Sequence, residues 1–436
     1  MRFRGLAASV AGVLVVAVAA PAAAATASPS ERLARQFLPA GDGWAAEGAG
    51  TTGGAAATPE NVFQVDTRDE LAAAVAGTTP AIVIVRGTIR GNTDASGTPL
   101  SCERFADPAY TLDAFLSAYD PAVWGRVAPS GPLEEARARS AANQSARVRV
   151  NVGSNKTIVG LGGATLNGVF LRLDGSSNVI IRNITHEDSR DCFPVWSPTD
   201  GATGNWNAAY DNIWIRSSHH VWVDHNTFTD ADNPDSAQPL HFGRPYQVHD
   251  GQVDITNGSN YVTVSYNRFT NHDKTMLIGS TNTPGVDVGA LKVTVHHNEF
   301  EGSVQRAPRV RFGQVDVYNN LYRVPVDDPY EYSWGVGVQS AIYAENNYVA
   351  FGASVPPDSF VFDWGGTMLT EKGTWARSGR SLPRPVNLLA AYNATHDPDL
   401  APDAGWTPTL RAGHVLPAPA AALVVELCAG ARHLGI

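Results

Sequence analysis

Three arginines fall within six residues in Gln305-Arg306-Ala307-Pro308-Arg309-Val310-Arg311-Phe312-Gly313. Clustered guanidinium groups suit the bidentate recognition of carboxylates. In an unbroken strand Arg306 and Arg311 would point to opposite faces, because their separation is odd. Pro308 interrupts the strand and can reset that parity, so both arginines can face one groove. Lys274, in His272-Asp273-Lys274-Thr275-Met276-Leu277-Ile278-Gly279, is one of only four lysines in the chain. Alone it would read as a solvated surface residue. Beside the arginine cluster, in a chain of net charge −10, it reads as part of a local cationic site for an acidic ligand. A second constellation precedes it: Asp250 and Asp254 in His249-Asp250-Gly251-Gln252-Val253-Asp254-Ile255, with Asp211 just before Ile213-Trp214-Ile215. Two carboxylates bracketing a glycine can hold a hard cation, although aspartates before strands also serve simply as turn formers.

Residues so far apart can cooperate only if the fold stacks them. From about residue 147 onward the chain is a series of short apolar alternations bounded by Gly, Asn, Asp or Ser, such as Val179-Ile180-Ile181, Val221-Trp222-Val223, Val262-Thr263-Val264 and Val293-Thr294-Val295. Several are followed by an asparagine and then an aliphatic or aromatic residue, at Asn183, Asn226, Asn267, Asn298, Asn320 and Asn347; the steps are 43, 41, 31, 22 and 27 residues. An irregular period on a base of about 22 residues is the mark of a solenoid whose coils carry insertions on one face. These features predict an all-β chain folded as a right-handed parallel β-helix, with a buried asparagine ladder, short capping helices and long loops on one face. Equivalent positions on adjacent coils then lie about 5 Å apart, so Asp211 can share an ion with Asp250 and Asp254. Short helices are expected over 67–76, 111–119, 133–142 and 420–429, the early and late ones covering the ends of the stack.

Only 17% of the 436 residues are charged and 43% are hydrophobic, which excludes a disordered chain, and the acidic balance argues against a nucleic-acid partner. Arg2 and Arg4, an apolar run from Leu6 to Ala20 and small residues through Ala27 have the order of a secretory signal peptide. The expectation is a signal over 1–27, one domain over 28–436, and a secreted monomer with no membrane span. Three cysteines allow at most one intrachain bridge; nothing in the sequence fixes the pairing, and Cys102 with Cys192 is the guess we adopt.

Taken together, the chain resembles the polysaccharide lyase family 1 pectate lyases. The resemblance rests on Phe193 to Gly201, Val221-Trp222-Val223-Asp224-His225-Asn226 through Asp230, His249 to Ile255, His272 to Gly279, and Gln305 to Gly313 with Val317-Tyr318-Asn319-Asn320, in order across roughly residues 60 to 400. It implies an enzyme that cleaves de-esterified poly-α-1,4-galacturonate by calcium-dependent β-elimination. By position it makes Asp211, Asp250 and Asp254 the calcium carboxylates, Arg306 the catalytic base, and Lys274, Arg311 and Arg309 the binders of substrate carboxylates. Ala209 stands where some members carry a fourth carboxylate, and Asp224 resembles a structural position. An arginine base requires neighbouring cations to depress its pKa, so an alkaline optimum is expected. Other readings are a pectin lyase acting on methyl-esterified chains, a non-catalytic pectin-binding solenoid, and a polygalacturonase, whose characteristic motifs the chain lacks. Trp196, Trp206, Trp334 and Tyr332 could stack on sugars or pack in the core.

Overall fold

The computed structural model describes residues 29–326, 329–413 and 415–434. The proposed signal segment, 1–27, lies outside them. Strands, most of them two to seven residues long, alternate with tight bends and stack coil upon coil into a parallel β-helix. The face that matters for chemistry is an all-parallel sheet of eight strands: β1 (Arg149–Val152), β2 (Phe170–Asp174), β3 (Ile213–Arg216), β4 (Val253–Thr256), β5 (Leu277–Ile278), β6 (Arg309–Val310), β7 (Trp334–Gly337) and β8 (Val361–Trp364). The other faces join into one larger sheet, in which strands pair in parallel with their equivalents a coil away, apart from the antiparallel pair Trp375–Ser378 with Arg384–Pro385 at its end.

Inside the coil, inward-facing Val, Ile, Leu and Phe side chains form one continuous core running from Val65 to Leu400. Two ladders run through or beside it. Asn226, Asn267, Asn298, Asn320 and Asn347 are fully buried, and each Nδ2 donates to the Oδ1 of the next at 3.0 to 3.1 Å. Each of these five amides also donates to a backbone carbonyl, so the buried polar groups satisfy one another. Asn183 is not in this ladder. Register pairs Asp224 with Arg182, which puts His225, not Asn226, opposite Asn183. Asn183 instead fills the left-handed bend at φ 60°, a conformation Asn tolerates, and donates to the Gly160 carbonyl. The second ladder is aromatic: His186, Phe228, Phe269, Phe300 and Tyr322 stack with ring centroids 4.8 to 5.0 Å apart.

Helices close the ends differently from expectation. Helix Arg68–Ala74, capped by the Thr67 hydroxyl, seats Leu71 and Ala74 on the first coil. At the far end it is Leu388–Asn393, unforeseen in the sequence, that places Leu388, Leu389 and Tyr392 in the core. Helix Ala418–Cys428 lies instead along the flank, packing Ala422 and Val425 on Leu321 and Tyr348. The helix expected to end near residue 142 runs on over Pro132–Val148. With Leu112–Ala118 it supports a side lobe in which Trp196 and Trp206 are buried against Phe115 and Tyr246. Trp334 and Tyr332 are buried too, so none of the four aromatics named from sequence offers an open face. Cys102 and Cys192 are bridged, tying this lobe to the loop that leads toward β3. No helix among the described residues is long and apolar enough to cross a membrane.

His186 is the one imidazole in the aromatic ladder. Burial pushes it down to about 3 from the ordinary 6.5. Its folded-state value is depressed, so the folded chain holds it neutral; stability is full above pH 6.5 and drains as pH falls toward 3. One such group contributes a slope of about 1.4 kcal/mol per pH unit. His186→Phe, which keeps the stack, is expected to flatten that acid limb. Denaturant unfolding at pH 7, 5.5 and 4 measures it, and parallel curves for variant and wild type would refute it.

Candidate active site

The groove is built on four successive coils. Asp211 leads into β3, Asp254 sits within β4, Lys274 ends the strand Arg268–Lys274, and Arg306 follows Gln305 at the end of the strand Glu299–Gln305. Lys274 pairs with Gln305 across one rung and bridges to Gly251 across the other. Gly251 in turn donates its N–H to Asp211 Oδ1 at 2.7 Å. Four coils are thereby locked side by side through backbone contacts, at about 4.8 Å per rung. Gly251 cannot be larger: a Cβ there would lie 2.3 Å from Asp254 Oδ1 and 2.8 Å from Asp211 Oδ1.

Asp211 and Asp254 are buried, while Asp250 is about a third exposed. Burial, then the charges of Asp254 and Asp250, push the Asp211 carboxyl well above the usual range. Burial and the neighbouring Asp250 push Asp254 to about 7, against the pull of Arg306 and of the Leu277 N–H, which donates to it at 2.9 Å. Among the described residues no group of three His, Cys, Asp or Glu side chains is arranged to hold a metal ion by itself. What the groove offers is an open set of hard oxygen acceptors, two of them buried and mutually repelling. Such a set fits a hard divalent cation that keeps further positions for ligand oxygens.

On the cationic side, Lys274 Nζ lies 3.7 Å from Asp250 Oδ1. Arg306, Arg309 and Arg311 are close enough for their charges to be felt: Arg306 and Arg311 act on Arg309, and Arg306 acts on Arg311. Burial and Arg311 push Arg309 down to about 10, and burial and Arg306 lower Arg311. Arg311 is pinned by Asn282 at 2.6 Å and the Gly279 carbonyl at 2.8 Å. Arg306 behaves contrary to the sequence expectation. Burial opposes its charge, but Asp250 and Asp254 outweigh it, and the guanidinium is held above its ordinary value. The expectation counted calcium, Lys274 and Arg311 as the depressing cations and did not weigh the charge of the aspartates on the preceding coils. Its buried Nε has no hydrogen-bond partner among the described residues. The other lysines are absorbed elsewhere: Lys156 donates to three carbonyls, Lys292 lies over Trp44 and Tyr261, and Lys372 pairs with Glu345. Asp224 is structural, as the sequence suggested, in a buried pair with Arg182 at 2.7 Å.

Sequence reasoning missed the layer behind the aspartates. His272 Nδ1 meets Asp230 at 2.8 and 2.9 Å, and its Nε2 meets the Asp250 carbonyl at 2.7 Å. His249 lies between Asp188 at 2.9 Å and Asp235 at 3.3 Å. Every one of these partners accepts only, so both rings donate from both nitrogens and are imidazoliums. The same carboxylates, Asp230 foremost, hold His249 at about 10 and His272 above its ordinary value despite burial. Asp191 braces the approach to Asp211, accepting the Phe193 and Ala209 N–H groups at 2.8 and 3.0 Å. The only sequence signal was that His249 and His272 each precede a candidate by one or two residues.

The parallel β-helix thus sets buried carboxylates against a row of cations on one surface sheet, a site with the charges to engage an acidic ligand. Comparison with known proteins makes this specific. A family profile described as pectate lyase matches residues 6–108 and 127–369. A pectate lyase of Bacillus subtilis is 46% identical over 387 residues, covering 87% of this chain and 89% of that protein. Pectate lyase E of Dickeya chrysanthemi is 37% identical, covering 78% and 74%. Among solved structures, a thermostable pectate lyase superposes with a TM-score of 0.90 at 44% identity over 92% of this chain and 99% of that one. A pectate lyase bound to a hexasaccharide does so at 0.87 and 44% over 92% and 100%. The chain belongs to the pectate lyase family and is an enzyme, a lyase.

The buried aspartates make the cation-free groove costly. Asp254 has a folded-state value near 7 against 3.8 when free. Because that value is raised, stability is spent as pH climbs from about 4 and the loss is complete by about 8. Asp254→Asn keeps the acceptor for the Leu277 N–H and removes the charge. In chelator it is expected to gain at least about 1 kcal/mol over wild type at pH 8 and nothing at pH 4. Denaturant midpoints at the two pH values decide the matter; an equal gain at both would point to packing instead.

Proposed function

We propose that this chain is a secreted, monomeric pectate lyase that cleaves de-esterified α-1,4-polygalacturonate by calcium-dependent β-elimination, releasing unsaturated oligogalacturonates, with residues 1–27 as its signal peptide. The observation that carries the reading is the juxtaposition, on successive rungs of one groove, of Asp211, Asp250 and Asp254 with Lys274, Arg306, Arg309 and Arg311, in a chain of this family.

β-Elimination removes the proton at C5 of a uronate, breaks the bond from C4 to the glycosidic oxygen, and leaves a C4–C5 double bond; the departing oxygen takes up a proton. The C5 proton is weakly acidic because negative charge gathers on the neighbouring carboxylate as it leaves. Calcium held by Asp211, Asp250 and Asp254 together with that carboxylate would supply charge to stabilise it. Lys274 and Arg311 would donate to the same oxygens, and the Asn282 and Gly279 contacts keep Arg311 from swinging away. Arg306 accepts the C5 proton. With Asp250 and Asp254 uncompensated its guanidinium stays protonated; once their charge is taken up, its two strongest supports are gone, Tyr332 and Asp273 remain as weaker ones, and burial acts to lower its pKa. Base and acidic triad therefore work as a unit, and activity rises with pH into the alkaline range. Ala209 leaves three fixed carboxylates, so calcium holds weakly until substrate joins it.

The test is polygalacturonate turnover, read as growth of ultraviolet absorbance from the conjugated product. Chelator is expected to abolish it. Arg306→Ala and Arg306→Lys are expected to lower kcat by about 100-fold or more with the fold intact. An optimum below neutrality would remove Arg306 as base. Undiminished degradation in chelator would point to a pectin lyase acting on methyl-esterified chains.

A further inference from the structure

The rung row that carries Asp254 continues beyond the arginines. Register sets Trp214 opposite Asp254, Leu277 opposite Arg309, Arg309 opposite Gly335 and Gly335 opposite Phe362, with Asp254 meeting Leu277 one residue before the Ile255–Ile278 pair. At about 4.8 Å per rung, Phe362 lies roughly 19 Å along the groove from Asp254 and roughly 10 Å past Arg309. Its strand neighbour Val361 is buried, yet Phe362 is 43% exposed. An apolar ring standing open on a row that also carries Asp254 and Arg309 suits a ligand with both an apolar face and a charge.

Between them, Gly335 clears the path. A Cβ there would meet Arg309 Cγ and Tyr332 Cε2 at 2.9 Å. Arg309 therefore reaches across the glycine coil and lays its guanidinium 3.8 Å from the centroid of the Trp364 ring. Its buried Nε has no hydrogen-bond partner among the described residues. Phe362 tilts against Trp364 at 4.8 Å and against buried Tyr332 at 5.4 Å. Trp214, at the opposite end of the row, is unlike this platform, since Arg172 and Arg216 both lie over it.

We propose that Phe362, with Arg309 fixed by Trp364, forms a distal uronate subsite: the guanidinium pairs with the sugar's carboxylate and the Phe362 ring lies under the sugar's C–H face. This rests on the polygalacturonate reading above and adds to it a dependence on chain length. An extended 1,4-linked sugar advances by about one rung, so a hexamer engaged at Asp254 reaches Phe362 and a trimer stops short. Arg309 contributes to binding here and touches no reacting atom.

The measurement is kcat/KM for hexagalacturonate divided by that for trigalacturonate. Phe362→Ala is expected to lower this ratio about fivefold, the size of one stacking contact. Trp364→Ala, which releases Arg309, is expected to lower it similarly, and Phe362→Trp to restore it. A variant that only perturbs folding would lower both terms alike and leave the ratio where it was. An unchanged ratio in Phe362→Ala, with wild-type turnover normal, overturns the subsite alone. A wild type that leaves polygalacturonate uncut overturns the lyase reading and the subsite with it.

Discussion

Everything in the groove depends on one packing constraint: each coil must sit on the last in exact parallel register. Backbone hydrogen bonds set the rung spacing, but they would also accept a slipped coil. The buried asparagines do not. Each Nδ2 in the Asn226-to-Asn347 ladder finds its acceptor only when the coils are aligned, and a slip of one residue would strand buried amides. The aromatic ladder beside it adds the same demand through shape. Register then turns sequence separations of some twenty to forty residues into neighbours, which is how the Asp211 carboxylate comes to accept the Gly251 N–H.

That rigidity is what allows the groove to hold charges in an uncomfortable arrangement. Two buried aspartates repel each other and a third, and the arginines on the next coils are crowded against one another. In a pliable loop such groups would swing into solvent. Here they are carried on backbone that is paired on both sides, with a glycine at the point of closest approach. The imidazoliums of His272 and His249 stiffen the arrangement from behind, because His272 grips the Asp250 main chain while leaving its carboxylate uncommitted. Stability is sacrificed locally for charged side chains held in fixed positions.

The solenoid was legible because its signal is periodic: short apolar alternations, each closed by an asparagine bend. The same reading misplaced Asn183, since an asparagine in the left-handed bend and one in the ladder a residue later look alike in sequence. The end cap at Leu388–Asn393 was invisible because a helix of six residues has too little periodicity to register. Candidate aspartates, Lys274 and the arginines could be named from their spacing and their resemblance to a family. Their electrostatics could not, because the sign of the shift on Arg306 depends on which coils lie next to it in space. Asp188, Asp230 and Asp235 carry no pattern that separates them from turn formers; only the acceptor-only surroundings of two histidines reveal them.

The state of Arg306 joins these observations. A guanidinium between aspartates is the least promising base in the molecule, and one surrounded only by arginines in a buried site is among the most promising. Arg306 has both environments, aspartates from the coils before it and arginines from its own. Which one prevails depends on whether the carboxylate charge is compensated. If Arg306 is the base and the aspartates hold calcium, as proposed, no separate switch is needed: the residues that would bind the cation are the same ones that hold the proton on Arg306. Substituting Asp250 or Asp254 would then change two things together, the affinity for the ion and the proton affinity of Arg306, and their contributions would not be additive.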